Sequence, residues 1–127
     1  SDVYKRQMKI ALAQAGDMQI ELIEPTGEQA NIYRDTVPEG KTAVHHLCYW
    51  TDDIDGEISS LVEQGYEVAA TGVVAGSGAT FAYVDTSPVL GHMTELLTYS
   101  NDIKGLFDMV AAASIEWDGS DPKRRLG

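Results

Sequence analysis

Short segments of the chain alternate between apolar and polar residues with a period of two, the pattern of half-buried β-strands. An apolar run covers residues 9–14, a turn signal follows at Gly16, and residues 18–23 alternate cleanly. One face of the second segment carries Met18, Ile20 and Leu22, and the other carries Gln19, Glu21 and Ile23. The pattern predicts a hairpin that ends at Pro25, because proline cannot continue a central ladder.

A longer pattern with the order β-α-β-β-β covers residues 43–99. Its first strand is predicted over residues 43–51. One face of that strand carries His46, Cys48 and Trp50, and the other carries His45, Leu47 and Tyr49. An amphipathic helix follows, with Asp53 as its N-cap and Gly65 just beyond its end. The apolar stripe of the helix comprises Ile54, Ile58, Leu61 and Val62. Three further strands are predicted over residues 66–70, 79–85 and 89–99.

The remaining segments divide the chain further. The strand pair in residues 8–25 resembles the back half of a second such unit, which predicts an internal repeat whose first half is cut short. Residues 26–42 form a polar linker or lid that Ile32 and Tyr33 could anchor. A final helix, capped by Asn101 or Asp102, and a tail fill residues 100–127. Within residues 1–7 (SDVYKRQ), the string DVYKRQ matches the translation of a transposon end used to fragment DNA for sequencing, so we expect residues 1–7 to be a non-native leader. An ordinary disordered N-terminus is the alternative.

Length and charge narrow the class of protein. The 127 residues, 43% of them hydrophobic, suit one domain with one core. The formal net charge of −11 disfavours nucleic acid and membrane surfaces as partners, because an acidic surface repels phosphates and anionic lipids. The sequence contains no apolar run long enough to span a membrane. Cys48 is the only cysteine, so an internal disulfide is excluded and a cytoplasmic location is expected.

Glu95 and Glu21 each place a carboxylate within a predicted strand that is otherwise rich in apolar residues. Glu95 lies in mid-strand between Met93 and Leu97 on the same face, and a carboxylate buried among apolar residues needs a partner or a metal. An edge position open to water is the alternative. Glu21 occupies the related place in QIELIEP, as Glu95 does in MTELLTY. For Glu21 the alternative is a solvated face shared with Gln19.

His46 is the candidate nitrogen ligand. A strand histidine is more often structural, but His46 with the two glutamates makes a mixed nitrogen and oxygen set that suits Zn²⁺, Fe²⁺, Ni²⁺, Co²⁺ or Mn²⁺. His45 is expected to point to the opposite face, and His92 is discounted because it lies three residues before Glu95. Cys48 is interpreted as a small buried hydrophobe, because no base partner is evident.

The motifs together resemble a known superfamily. HHLCYWTDDID, a helix ending in EQGY, FAYVDT and GHMTELL resemble the second βαβββ module of the vicinal oxygen chelate superfamily, and QIELIEP resembles the end of its first module. The superfamily includes glyoxalase, methylmalonyl-CoA epimerase, extradiol dioxygenases and bleomycin-resistance proteins. The resemblance covers residues 8–99 and implies an α+β fold in which paired βαβββ modules form a cup-shaped sheet. Here the first module is incomplete and a C-terminal helix is added.

The resemblance also implies a site and an activity. Glu21, His46 and Glu95 match three of the four metal-ligand positions, and Glu95 or Glu21 would also be the catalytic base. The fourth position is a histidine upstream, whereas this sequence has no histidine before His45. Gln19, Cys48, Trp50, Tyr83, Met93 and Leu97 are expected to line the substrate pocket.

The implied function is a divalent-metal-dependent isomerase or lyase that acts next to a substrate carbonyl through a metal-stabilised enolate. The alternative is a metal-free small-molecule-binding protein of the bleomycin-resistance type, with Trp50 and Tyr83 as stacking surfaces. An extradiol dioxygenase is a third possibility, but the second carboxylate, Glu21, is unusual for that chemistry. The resemblance further implies a small-molecule substrate and a homodimer.

Overall fold

The computed structural model describes residues 8–26 and 32–125. Its first unit is the predicted hairpin, in which β1 (Met8–Ala15) pairs antiparallel with β2 (Met18–Pro25). Gly16 makes the tight turn with a φ of 62°, in the left-handed region that glycine adopts without strain. The predicted leader, residues 1–7, lies outside the described residues, and so does part of the predicted linker, residues 27–31.

A four-stranded sheet forms the second unit. Its strands are β3 (His46–Thr51), β4 (Glu67–Val73), β5 (Thr80–Asp85) and β6 (Met93–Thr98). The spatial order is β3-β6-β5-β4, with β3 and β6 parallel and the other two pairs antiparallel. The central strand β6 therefore has neighbours on both sides, and a side chain on it can reach residues of both β3 and β5.

Of the two helices that flank β3 along the chain, only the one after it was predicted from the sequence. The first helix, α1 (Ile32–Thr36), lies in the predicted linker, and α2 (Ile54–Glu63) follows β3. The side chain of Asp53 accepts a hydrogen bond from the backbone N–H of Gly56, which confirms it as the N-cap of α2. Gly65 follows the end of α2 with a φ of 96°, as predicted.

Several predicted boundaries were wrong: β3, predicted from residue 43, begins at His46, and β4, predicted over residues 66–70, extends to Val73. The strand expected over residues 89–99 begins only at Met93, because a short helix, α3 (Ser87–Leu90), with Pro88 in its first turn, precedes it. Gly91 ends this helix with a φ of 79°. The last helix, α4 (Asn101–Ser114), is capped by Ser100, whose side chain accepts a hydrogen bond from the backbone N–H of Ile103. Asn101 and Asp102 are therefore the first helical residues and do not cap the helix.

The core lies in the four-stranded sheet and under α4. The buried apolar residues are Ala79, Ala82, Tyr83, Val84, Met93, Leu96, Leu97 and Ile103. The helix α2 packs on the sheet through the half-buried residues Ile54, Ile58 and Leu61. Val62 was predicted in the same apolar stripe but is 49% exposed. Among residues 8–26 and 32–125, no helix is both long and apolar enough to cross a membrane. The observed architecture is the α+β arrangement expected from the sequence, with a hairpin, a βαβββ unit and a C-terminal helix.

Candidate functional site

A large open cleft lies between the hairpin and the four-stranded sheet. Its volume is about 1520 Å³, and it extends from the residues around α1 to those of α4. Side chains that line it include Gln19, Glu21, His46, Cys48, Trp50 and Glu95. The two sequence units therefore face each other across the cleft.

Three side chains converge in the cleft from three different strands. The Nε2 atom of His46 lies 3.4 Å from Oε1 of Glu21 and 3.5 Å from Oε1 of Glu95. The side chain of His46 is only 9% exposed and that of Glu95 15% exposed, whereas that of Glu21 is 32% exposed. The convergence arises because β2 and β6 each direct one carboxylate toward the histidine at the start of β3.

The sheet places a donor on each side of Glu95. In the strand register Glu95 lies opposite Cys48 of β3 and opposite Tyr83 of β5. The thiol of Cys48 and the hydroxyl of Tyr83 both donate hydrogen bonds to its carboxylate. Burial nevertheless raises the pKa of Glu95, against the opposing effects of His46 and the two donors. Glu95 thus has a donor on each side and is a stronger base than an exposed glutamate.

The negative charge of Glu95 contributes to raised pKa values of its neighbours Cys48 and Tyr83. Loss of surrounding water, followed by the charge of Glu95, raises the pKa of the Cys48 thiol. Cys48 is nevertheless exposed along the open cleft, so its interpretation as a small buried hydrophobe was wrong. The pKa of Tyr83 is raised by burial and by Glu95 in the same way. Both side chains therefore stay protonated at neutral pH and remain hydrogen-bond donors.

The linker contacts the site through its first helix. The hydroxyl groups of Tyr33 and Tyr83 lie 3.3 Å apart, and the ring of His45 packs 4.8 Å from that of Tyr33. Nδ1 of His45 lies 2.8 Å from Nδ1 of His46, and Nε2 of His45 lies 3.1 Å from the carbonyl oxygen of Ile32. Burial lowers the pKa of His45. The linker thus closes over the site, consistent with Ile32 and Tyr33 as its anchors.

The chemical types of the donor atoms of Glu21, His46 and Glu95 suit a divalent cation. One imidazole nitrogen and two carboxylates are the ligands that zinc, iron, cobalt, nickel or manganese accept. Ligands about 2.1 Å from a tetrahedral ion lie roughly 3.4 Å apart, close to the separation of His46 from each glutamate. Within the described part of the chain, however, no group of three such side chains is already spaced as a metal centre. Binding would therefore require the carboxylates to adjust.

Comparison with known protein families identifies the fold family. A family model described as Glyoxalase/Bleomycin resistance protein/Dioxygenase superfamily matches residues 2–83, which is more than half of the chain. The chain belongs to this superfamily. Members of the superfamily commonly use divalent metals and bind small-molecule substrates. A comparison with curated proteins gives no match.

Several solved structures share this fold at low sequence identity. A hypothetical protein from Bacillus halodurans C-125 is 24% identical, with a TM-score of 0.59 over 76% of this chain and 70% of that one. A variant of the methylmalonyl-CoA epimerase of Streptomyces coelicolor, in complex with 2-nitronate-propionyl-CoA, is 21% identical, with a TM-score of 0.57 over 77% of this chain and 72% of that one. A methylmalonyl-CoA epimerase in complex with methylmalonyl-CoA and NH4+ is also 21% identical, with a TM-score of 0.57 over 77% of this chain and 72% of that one.

The structure places only some of the residues expected in the substrate pocket along the cleft. Gln19, Cys48 and Trp50 line it, and Gln19 donates a hydrogen bond to the carbonyl oxygen of Phe107. Tyr83 is 4% exposed and does not line the cleft, although its hydroxyl reaches Glu95 from within the sheet. Its ring is therefore not available as a stacking surface for a ligand.

Met93 and Leu97 do not line the cleft either. Leu97 is buried with Ala79 and Ile103 beneath α4, and Met93 borders a smaller cavity of about 280 Å³. Both side chains flank Glu95 in the sequence, but they belong to the packing around it and not to the surface that a ligand in the cleft would contact.

Sequence reasoning misplaced His45. It was expected on the opposite face from His46, but its ring contacts His46 and closes one side of the site. The error arose because β3 begins only at His46, so the alternation of a strand does not apply to the residue before it. The signal that could have found it is the pair of adjacent histidines at the end of a long linker.

Proposed function

We propose that this chain is a divalent-metal-dependent isomerase or lyase that acts on the carbon next to a substrate carbonyl group. The observation that carries the proposal is the convergence of Glu21 and Glu95 on Nε2 of His46, with separations of 3.4 and 3.5 Å. Membership of a superfamily that commonly uses divalent metals supports it. The proposed metal ligands are these three residues.

A divalent cation bound at this position supplies positive charge that acidifies a proton next to a carbonyl group. The protein's own contribution is a base, a fixed histidine and a cleft partly closed to water. Glu95 is the proposed proton acceptor because burial raises its pKa, which makes its carboxylate more basic. Glu21 is more exposed, and it would complete the ligand set.

The donors beside Glu95 give the proposed base a defined orientation. Hydrogen bonds from Cys48 and Tyr83 hold the carboxylate where the sheet places it, and the register fixes both partners. A base held in position needs no reorientation before proton transfer, which is the main advantage of a preorganised site. Cys48 and Tyr83 are therefore proposed as residues that orient Glu95.

The proposed substrate is a small molecule with a carbonyl group, held in the open cleft. The epimerases that share this fold are described with methylmalonyl-CoA and with 2-nitronate-propionyl-CoA bound. An acyl thioester is therefore a reasonable first substrate class for this chain. Trp50, stacked on Tyr99 with ring centroids 4.6 Å apart, offers a flat apolar surface at the α4 end of the cleft.

Deuterium exchange tests the proposed chemistry without knowledge of the final product. Methylmalonyl-CoA and lactoylglutathione would be incubated in D2O with the chain and Zn²⁺, Co²⁺, Ni²⁺ or Mn²⁺, and loss of the proton next to the carbonyl followed by NMR. We expect metal-dependent exchange that falls at least about 100-fold in Glu95→Gln, because the base is lost. Glu67→Gln, on the exposed end of β4, is the matched control. Equal exchange in both variants would contradict the role of Glu95.

A metal-free binding protein is the second candidate, and the aromatic residues of the cleft favour it. Trp50 and Tyr99 are partly exposed there, and an apolar or aromatic ligand could pack against them. This candidate predicts tight binding of an aromatic ligand with EDTA present, and no proton exchange with any metal. The proposed enzyme predicts proton exchange that depends on the metal, and no tight binding of an aromatic ligand with EDTA present.

We also propose that the chain forms a homodimer. The strand β2 exposes an apolar row that borders the cleft, with Met18 64%, Ile20 43% and Leu22 65% exposed, and such rows are common at interfaces between protein chains. Light scattering would test it. We expect a dimer for the unchanged chain and a monomer for Ile20→Lys, with Val73→Lys on β4 as the control.

A further inference from the structure

The ring of His45 connects the linker to the candidate metal site. One of its nitrogens lies 3.1 Å from the carbonyl oxygen of Ile32 in α1, and the other lies 2.8 Å from Nδ1 of His46. We propose that His45 is a positioning residue that fixes the tautomer of His46 and leaves the Nε2 lone pair of His46 free for a cation. The inference deepens the proposed function. It rests on that function only where it assigns the Nε2 lone pair of His46 to metal binding.

The carbonyl group of Ile32 can only accept hydrogen bonds. The Nε2 atom of His45 must therefore carry the proton in this contact. A neutral imidazole has a single N–H group, so Nδ1 of His45 is then an acceptor. Its partner at 2.8 Å, Nδ1 of His46, must in turn be the donor.

The consequence falls on the other nitrogen of His46. When His46 is neutral and donates through Nδ1, its Nε2 atom carries a lone pair and no proton. That atom faces carboxylate oxygens of Glu21 and Glu95, which are also acceptors. Three acceptors directed at one point need a cation or a proton between them. The contact with His45 thus selects the tautomer of His46 that ligates metals through Nε2.

Packing holds His45 in the orientation that this role requires. Its ring lies 4.8 Å from the ring of Tyr33 and 5.7 Å from that of Tyr83, in tilted and edge-on arrangements. Tyr33 belongs to α1, as does the carbonyl group of Ile32, so one helix supplies both contacts. Movement of α1 would therefore release His45 and, through it, the preferred tautomer of His46.

Imidazole ¹⁵N NMR of the metal-free protein tests the tautomer directly. Spectra would be recorded at alkaline pH, above the range in which imidazoles titrate. In the unchanged chain we expect His46 protonated at Nδ1 and unprotonated at Nε2. In His45→Phe, which keeps an aromatic ring but has no nitrogen, we expect His46 to move its proton to Nε2 and donate to the glutamates. Nε2 protonation in the unchanged chain, or an unaltered tautomer in His45→Phe, would overturn the proposal.

Rescue by a conservative variant separates this role from simple packing. The side-chain oxygen of Asn in His45→Asn can accept the hydrogen bond of His46 in place of Nδ1, so the Nδ1-protonated tautomer should persist. For a chain that binds Zn²⁺, we expect affinity to fall about 10- to 100-fold in His45→Phe and less in His45→Asn. If His45→Asn behaves like His45→Phe in the NMR measurement, the acceptor role is wrong. Absence of Zn²⁺ binding in the unchanged chain would instead count against the proposed function, and the tautomer measurement would still decide the role of His45.

Discussion

The hydroxyl groups of Tyr33 and Tyr83 lie 3.3 Å apart and join the linker helix α1 to the buried strand β5. Tyr83 also donates to Glu95, so the contact with Tyr33 extends a hydrogen-bond chain from the linker to the proposed base. Burial raises the pKa of Tyr33, which keeps its hydroxyl protonated. The position of the linker is therefore coupled to the candidate site.

Removal of the Tyr33 hydroxyl should destabilise the chain. We expect Tyr33→Phe to lower the free energy of unfolding by about 1 kcal/mol, because a partly buried hydrogen bond is lost while the ring remains. Urea unfolding measures this difference. Tyr49→Phe is the control, since Tyr49 is 53% exposed, and its effect should stay within about 0.5 kcal/mol. Equal effects of the two changes would show that the Tyr33–Tyr83 contact contributes nothing to stability.

The fold could be predicted from the sequence where local patterns decide the structure. The caps of α2 at Asp53 and Gly65 follow from side-chain chemistry and glycine conformation, and both are confirmed. The start of β6 could not be predicted, because Val89 and Leu90 have the apolar pattern of a strand. Pro88 begins a helical turn there, and a single turn is too short to leave a periodic pattern.

The candidate site was predictable in part. Glu95 was found because a carboxylate between apolar residues on one strand face is unusual, and Glu21 because QIELIEP repeats the local sequence around Glu95. His46 was added because it completes a mixed nitrogen and oxygen ligand set, and the structure brings the three side chains together. Leu97 shares a face with Glu95 but lies under α4, which a strand pattern alone does not reveal. Tertiary packing decides which part of a strand face is covered by a helix that is distant in the sequence.

Burial of Ile103 predicts that α4 is part of the core. Ile103 is 7% exposed and packs with Ala79 and Leu97. We expect Ile103→Ala to lower the free energy of unfolding by about 3 kcal/mol, because a cavity forms in a packed cluster. Ile115→Ala, at a position 72% exposed just after the helix, should change it by less than about 0.5 kcal/mol. A small effect at Ile103 would mean that α4 does not pack as described.

The thiol of Cys48 should react slowly. Burial and the charge of Glu95 raise its pKa, and the thiolate is the reactive form. We expect iodoacetamide at about pH 8 to alkylate the folded chain at least about tenfold more slowly than the chain in guanidinium chloride. Mass spectrometry gives a clear result, because Cys48 is the only cysteine in the sequence. Equal rates in the folded and unfolded chain would contradict the raised pKa.

The raised pKa of Glu95 makes stability depend on pH in the metal-free protein. The folded chain binds this proton at higher pH than the unfolded chain, so stability falls as pH rises from the unfolded to the folded pKa. Glu95→Gln should therefore be more stable than the unchanged chain at about pH 8 with EDTA present, by about 1 kcal/mol. The difference should disappear below about pH 4, where the carboxyl group is protonated in both states.

Urea unfolding at several pH values measures this dependence, with Glu67→Gln as the exposed control. A Glu95→Gln variant less stable than the unchanged chain under the same alkaline conditions would contradict the direction of the pKa shift. It would also indicate that the hydrogen bonds from Cys48 and Tyr83 outweigh the loss of hydration at Glu95.

Metal binding by the unchanged chain tests the central claim most directly. The chain, His46→Ala and His92→Ala would each be dialysed against Zn²⁺, Co²⁺, Ni²⁺ and Mn²⁺, and the bound metal measured by elemental analysis. His92 is the matched control, because one of its ring nitrogens lies 2.8 Å from the carbonyl oxygen of Met93 and it does not line the large cleft. We expect about one ion per chain in the unchanged protein and in His92→Ala, and loss of that ion in His46→Ala. Failure of all four ions to bind the unchanged chain, or full retention in His46→Ala, would contradict the proposed metal site.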